Sequence, residues 1–132
     1  MKILVTGGTG YIGSHTVIEI QKKGYEVIIV DALFNSRIQA LDAIEKISGI
    51  RPEFESFDLA NQSLTDDFFS RHKDIKGIIH FAAHKAVGES VEQPLKYYRN
   101  NLDSLMNILE CMDKYNIPNL VFSSSCTVYG QP

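Results

Sequence analysis

Four glycines fall within seven residues in the stretch VTGGTGYIG, Val5 to Gly13, directly after the apolar run Ile3-Leu4-Val5. Glycine inside a strand or helix costs roughly 1 kcal/mol relative to alanine. A cluster of them is kept where backbone must bend sharply or approach something closely. Gly7, Gly10 and Gly13 recur at three-residue spacing, and Gly8, Gly10 and Gly13 also satisfy G-x-G-x-x-G. Between a strand and a helix, such a turn uses one glycine for the bend and another to bring backbone against a pyrophosphate. The last lets helix and strand pack closely, while N–H groups at the helix start face the phosphates.

The surrounding pattern supplies that context. Lys2 to Thr6 reads as a buried strand, Tyr11 to Lys23 as a helix capped by Gly24, and Tyr25 to Asp31 as a second buried strand. Asp31 ends that strand about twenty residues after the turn, where a carboxylate accepts hydrogen bonds from ribose hydroxyls and repels a 2′-phosphate. NAD is therefore expected rather than NADP.

Further on, Ser36 is placed to cap a helix reaching Ser48, with Ile38, Leu41, Ile44 and Ile47 on one side and Gly49 at its end. Glu53 to Phe57 is a weaker strand. A third helix begins near Asn61 or Ser63, with Asp66 and Asp67 expected in its first turn. Lys76 to Ala83 is a fourth strand. A long helix follows from Pro94 to about Tyr115, and its stripe of Leu95, Tyr98, Leu102, Leu105, Leu109 and Met112 is expected to face the core. Pro118 stops it, and Leu120 to Cys126 makes a fifth strand.

Strands that are apolar throughout, alternating with helices, predict an α/β fold: a doubly wound parallel sheet of Rossmann type. The 132 residues suit one domain, an NAD-binding unit over 1–132. Hydrophobic residues at 44%, charged residues at 22% and a net charge of −3 describe a globular chain without a nucleic-acid surface. No apolar run approaches the roughly 18 residues of a membrane span. The N-terminus enters a strand-like run without a charged leader, so no signal peptide is expected. Cys111 and Cys126 lack metal spacing and suit a reducing cytoplasm. His15, His72, His80 and His84 show no metal-ligand pattern, and structural roles are expected for them.

Taken together, TGGTGYIGSHT, HFAAHKAVGES, YYRNN and FSSSCTVYG closely resemble the UDP-glucose 4-epimerases (UDP-galactose 4-epimerases) of the extended short-chain dehydrogenase/reductase superfamily. The likeness runs along the whole chain and corresponds to the N-terminal portion of such an enzyme. It implies that Gly7, Gly10, Tyr11, Ile12 and Gly13 form the pyrophosphate turn and that Asp31 holds the ribose. Asn35 and Ser36 match positions near the adenosine half of NAD, and Asp58 and Leu59 the pair flanking adenine. Phe81, Ala82 and Lys85 match the loop after strand four, with Lys85 near both cofactor and sugar nucleotide. Asn100 matches a cofactor-side asparagine. Ser123, Ser124 and Ser125 end strand five, Ser125 matching the catalytic serine. Ala32 departs from a common asparagine, and Ala83-His84 from a common glycine-leucine pair. Tyr129 is expected to contribute packing.

The activity implied is NAD-linked interconversion of UDP-galactose and UDP-glucose through a 4-keto sugar, with Ser125 hydrogen-bonding the reacting hydroxyl. The family's Tyr-x-x-x-Lys base motif does not occur in this sequence. The 132 residues are thus expected to be an inactive N-terminal part of a larger cytoplasmic, homodimeric enzyme, without its substrate domain. The edge of strand five is expected to invite pairing with another chain. Alternatives are a non-catalytic NAD-binding module, or another sugar-nucleotide epimerase or dehydratase. Cys126-Thr127 stands where dehydratases carry an acid pair.

Overall fold

The computed structural model describes residues 1–33, 38–82 and 94–123, except the side chains of Tyr97 and Tyr98. Its elements are β1 (Lys2–Thr6), α1 (Tyr11–Lys22), β2 (Glu26–Val30), α2 (Ala40–Ser48) and β3 (Glu53–Glu55). They continue with α3 (Gln62–Arg71), β4 (Ile75–His80), α4 (Pro94–Lys114) and β5 (Asn119–Phe122). The strands form one parallel sheet in the order β3-β2-β1-β4-β5. The expected doubly wound arrangement is therefore present.

The strands are apolar at consecutive positions because both faces of the sheet are covered. Leu4, Ile28, Val30 and Ile78 pack with Phe68 and Phe69 of α3 and Ile108 and Cys111 of α4. Val5, Val27 and Ile29 turn the other way, against Val17 and Ile18 of α1 and Leu41 and Ile44 of α2.

Local chemistry sets the helix ends. Gly24 follows α1 at φ +90° and Gly49 follows α2 at φ +81°, both left-handed. Asn116, at φ +57°, does the same after α4, and the N–H of Ile117 reaches back to the Met112 carbonyl at 2.9 Å. The Asn61 side chain caps α3 by accepting from the Leu64 N–H at 3.0 Å.

Three expectations are corrected. The helix expected from Ser36 begins, among the described residues, at Ala40, with Gln39 at its cap and Ser36 itself outside them. Asp66 and Asp67 lie beyond the first turn of α3 and work laterally: Asp66 accepts from Lys114 Nζ at 2.8 Å and Tyr115 Oη at 3.0 Å, and Asp67 from Arg71 Nε at 2.9 Å. Lys114, and after it Tyr115, holds the Asp66 carboxyl below its ordinary value.

The third concerns α4. Leu95, Leu102 and Leu109 are 69%, 40% and 46% exposed, so half of the expected stripe turns away from the core, while Leu105 is half-buried and Met112 packs against it as expected. The buried line is Ser104, Asn107, Ile108 and Cys111, with Met112 packed at its edge. A buried polar side chain is tolerated when it is bonded. Asn107 Nδ2 donates to the Leu59 carbonyl at 2.8 Å, which an apolarity pattern does not register.

The outer strands differ. On β3, Glu53 accepts from Lys2 at 3.1 Å, and Glu55 meets the two terminal guanidinium nitrogens of Arg71, Nη2 and Nη1, at 2.7 and 3.0 Å and His72 at 2.6 Å. Arg71 holds the Glu55 carboxyl below the ordinary glutamate value against the opposing effect of partial burial, and His72 adds to that pull. Charges on an outer strand blunt further pairing. Val121 and Phe122 of β5 are instead 59% and 55% exposed.

Candidate dinucleotide site

β1 lies between β2 and β4, so the chain winds one way from it toward β3 and the other way toward β5. Ligand crevices of doubly wound sheets open at such a reversal, beyond the carboxyl ends of the strands. The glycine turn occupies that end of β1.

Two glycines there cannot be replaced without displacing backbone. Gly7 takes φ +71°, which only glycine adopts freely, and its N–H donates to the Val30 carbonyl at 2.9 Å. A Cβ on it would stand 2.9 Å from Ala82 N, so the glycine turn and the segment after β4 touch through backbone. At Gly13 a Cβ would fall onto the Gly7 carbonyl oxygen and lie 2.9 Å from Gly8 Cα. That is the close helix–strand approach the spacing predicts.

Gly10 caps α1 in extended backbone without a side-chain hydrogen bond, and no acidic residue stands in the first turn. The amides of Tyr11, Ile12 and Gly13 have no intrahelical acceptor. They leave a positive helix end at the crevice. Tyr11 and Ile12 project from it, 82% and 56% exposed.

Asp31 is aimed back over this turn. Its Oδ2 accepts from the Thr9 hydroxyl and from the Thr9 N–H at 3.3 Å, and its Oδ1 accepts from the Leu33 N–H at 2.8 Å. Leu33 is left-handed, at φ +62°. That conformation costs a non-glycine residue roughly 1–2 kcal/mol, which the Asp31 bond helps offset.

Along the chain from β3, Asp58 meets Asn100 of α4: Asn100 Nδ2 donates to Asp58 Oδ1 at 3.2 Å and Oδ2 at 3.4 Å. The Ala60 N–H holds the same carboxylate at 3.0 Å. Leu59 differs from its neighbour. Its side chain is 3% exposed within the core, and its carbonyl accepts from Thr65 Oγ1 and Asn107 Nδ2 at 3.0 and 2.8 Å. Phe81 and Ala82 follow β4 directly, and the Ser123 N–H donates to the His80 carbonyl at 3.2 Å. The structure thus gathers Gly7, Gly10, Tyr11, Ile12, Gly13 and Asp31 about one turn and pairs Asp58 with Asn100. Asn35, Ser36, Lys85, Ser124 and Ser125 lie outside the described residues, as do Ala83, His84, Cys126 and Tyr129.

Two threonines that sequence reasoning passed over contribute, together with His80, for which a structural role was expected. Thr9, 5% exposed, orients Asp31; Thr6 and His80, 0% and 3% exposed, bond to each other beneath the turn. The threonines stand inside TGGTG, where the glycines draw all the attention. Cys111 takes no part in this chemistry: burial, then the Asp66 charge, pushes its thiol up to about 11. A thiol so protonated is a weak nucleophile.

Comparison with known proteins agrees with this geometry. The NAD dependent epimerase/dehydratase family matches residues 3–132. UDP-glucose 4-epimerase of Schizosaccharomyces pombe is 52% identical over 130 residues, 98% of this chain and 36% of that protein. The Bacillus subtilis UDP-glucose 4-epimerase is 49% identical over 132 residues, 100% of this chain and 39% of its own. The chain therefore spans little more than a third of these curated relatives, their N-terminal part. Among solved structures, the Bifidobacterium longum UDP-glucose 4-epimerase in complex with NAD+ and UDP superimposes with a TM-score of 0.92 at 45% identity, covering 100% of this chain and 39% of that one. Sequence along nearly the full chain and backbone geometry at the crevice lead to one conclusion: the chain belongs to the NAD dependent epimerase/dehydratase family.

Proposed function

We propose that this chain is the NAD-binding part of a UDP-glucose 4-epimerase, the longer protein interconverting UDP-galactose and UDP-glucose in galactose metabolism. The observation that carries the reading is the Asp31 carboxylate held over a glycine turn whose helix start presents uncapped amides. A diphosphate fits the amides, and ribose hydroxyls fit the carboxylate. Backbone at Gly7 and Gly13 leaves no room for side chains that would fill this cradle.

Gly7, Gly10, Tyr11, Ile12 and Gly13 then receive the pyrophosphate, with Asp31, Asn35 and Ser36 on the adenosine side. Asp58 and Leu59 flank adenine, Leu59 through its N–H, because its side chain is in the core and its carbonyl already accepts from Thr65 and Asn107. Phe81, Ala82, Lys85, Asn100, Ser123 and Ser124 are assigned to the remainder of the cofactor, and Lys85 and Ser125 also to the sugar nucleotide. When bound, NAD supplies reversible hydride chemistry at carbon 4. Ser125 holds the reacting hydroxyl by a hydrogen bond and relays its proton. The Tyr-x-x-x-Lys base and the uridine-binding domain belong to the longer protein in this reading. A cytoplasmic location, where the buried Cys111 thiol stays reduced, belongs to it as well.

Calorimetry on the chain tests this. NAD is expected to bind, with NADP at least tenfold weaker. Asp31→Ser is expected to weaken NAD by tenfold or more and to narrow that gap. Hydrogen bonds to a charged group contribute about 1.5–3 kcal/mol each, and about 1.4 kcal/mol is a factor of ten. NADP binding as tightly as NAD to the unaltered chain would falsify the role given to Asp31.

Homodimerisation is the second element of the proposal. Leu95, Leu102, Met106 and Leu109 form an exposed apolar stripe on α4, with Met106 56% exposed. Seven-residue spacing of Leu95, Leu102 and Leu109 suits a helix seam against a second copy. Sedimentation should show a dimer that Leu102→Glu with Leu109→Glu converts to monomer. A dimer surviving both changes places the interface elsewhere.

A further inference from the structure

Beneath the glycine turn, Thr6 and His80 end the paired strands β1 and β4 side by side in register. Thr6 Oγ1 lies 2.7 Å from His80 Nδ1, 3.0 Å from Phe81 N and 3.1 Å from Ala82 N. A threonine hydroxyl has one proton and two lone pairs. Both backbone amides only donate, so the lone pairs are taken by Phe81 and Ala82. The Phe81 N–H also reaches the Thr6 carbonyl at 3.0 Å and is shared between the two oxygens. The one Thr6 partner able to accept the hydroxyl proton is His80 Nδ1. That nitrogen must then carry a lone pair, which leaves a neutral imidazole with its proton on Nε2.

We propose that Thr6 and His80 are a positioning pair that fixes the Phe81–Ala82 segment against Gly7 and so sets the floor of the dinucleotide crevice. The proposal rests on the NAD reading only for its functional consequence. The mechanical part is local. Gly7 has no space on its Ala82 side, so a shift of Ala82 is transmitted to the glycine turn as backbone contact. His80 in turn is stacked on Phe122 of β5, centroids 5.9 Å apart and planes at 26°, which holds the ring in the orientation Thr6 needs. Three strand ends are thereby linked through the Thr6 hydroxyl and the His80 ring.

Nitrogen-15 spectra of the histidine rings in the full chain test the tautomer. Nδ1 of His80 is expected to show the shift of an unprotonated nitrogen and Nε2 that of a protonated one. Thr6→Val keeps the shape and removes the hydroxyl. It is expected to change the His80 ring signals, to speed amide exchange at Phe81 and Ala82 by about tenfold or more, and to weaken NAD by about tenfold, the loss expected for one or two hydrogen bonds. Thr6→Ser restores all three. A proton on Nδ1 in the unaltered chain overturns the proposal, as does Thr6→Val with unchanged exchange and affinity. Should Thr6→Val fail to fold, the ring spectrum of the unaltered chain and the behaviour of Thr6→Ser decide it. A chain that shows the expected tautomer and exchange but no NAD affinity supports the pair and overturns the cofactor reading instead.

Discussion

Gly13→Ala is expected to lower the melting temperature by about 10 °C and to abolish NAD binding. The added Cβ would land on the Gly7 carbonyl oxygen and stand 2.9 Å from Gly7 C and Gly8 Cα, all backbone. A clash with a flexible side chain relaxes by changing rotamer, whereas this one moves the whole helix start off the turn. Overpacking costs about 1–3 kcal/mol, and the upper end applies where backbone must yield. For a chain of this size about 3 kcal/mol corresponds to roughly 10 °C. The same displacement carries the amides of Tyr11 and Ile12 away from the crevice, so affinity falls along with stability. Gly49→Ala is the comparison: φ is +81°, nothing lies within 4 Å, and the site is remote from the turn. It should cost only the left-handed penalty, about 1 kcal/mol, and leave NAD binding intact. Thermal scans and calorimetry on both variants give the answer. A Gly13→Ala chain that melts with the unaltered one and binds NAD would show that the helix start is not wedged as the backbone places it.

The largest loss of stability is expected at Phe68. Its ring is 0% exposed and sits among Phe57, Phe69 and His72, with centroids 5.5, 5.2 and 4.6 Å away. Phe68→Ala removes one of the two buried rings, with Phe69, by which α3 packs on the β1–β2–β4 face, and leaves a cavity bounded by strands that cannot collapse without breaking the sheet. Such truncations cost about 3–5 kcal/mol, out of a total stability of about 5–15 kcal/mol for a domain. Urea unfolding should show a lower midpoint with an unchanged slope. Leu64→Ala, on the same helix but 47% exposed, should stay within about 0.5 kcal/mol. Equal effects at the two positions would mean that α3 does not present Phe68 to the sheet.

Much of the architecture was legible before any coordinates. β1 runs over the expected Lys2 to Thr6, and the other strands overlap their expected segments, because apolar residues at consecutive positions have few other homes in a chain of this length. The glycine turn and Asp31 were legible too, since a left-handed Gly7 and a side-chain-free Gly13 are requirements written in residue type. The face of α4 was not. Leu95, Leu102 and Leu109 repeat at seven-residue spacing on the outside, while the core side holds Ser104 and Asn107 alongside Ile108. Periodicity reports where apolar atoms recur along a helix and carries no information about which neighbour covers them.

What the amino-acid order determined by itself is the winding of the sheet and the chemistry at the end of β1: backbone conformations and burial preferences are properties of each residue with its near neighbours. What only the tertiary structure decided is who meets whom across long separations. Asn100 reaches Asp58 over 42 residues and Thr6 meets His80 over 74, each needing a strand or helix to arrive in register from elsewhere. Hydrogen bonds are short and directional, so these partnerships exist only once the sheet has set the strand ends at bonding distance.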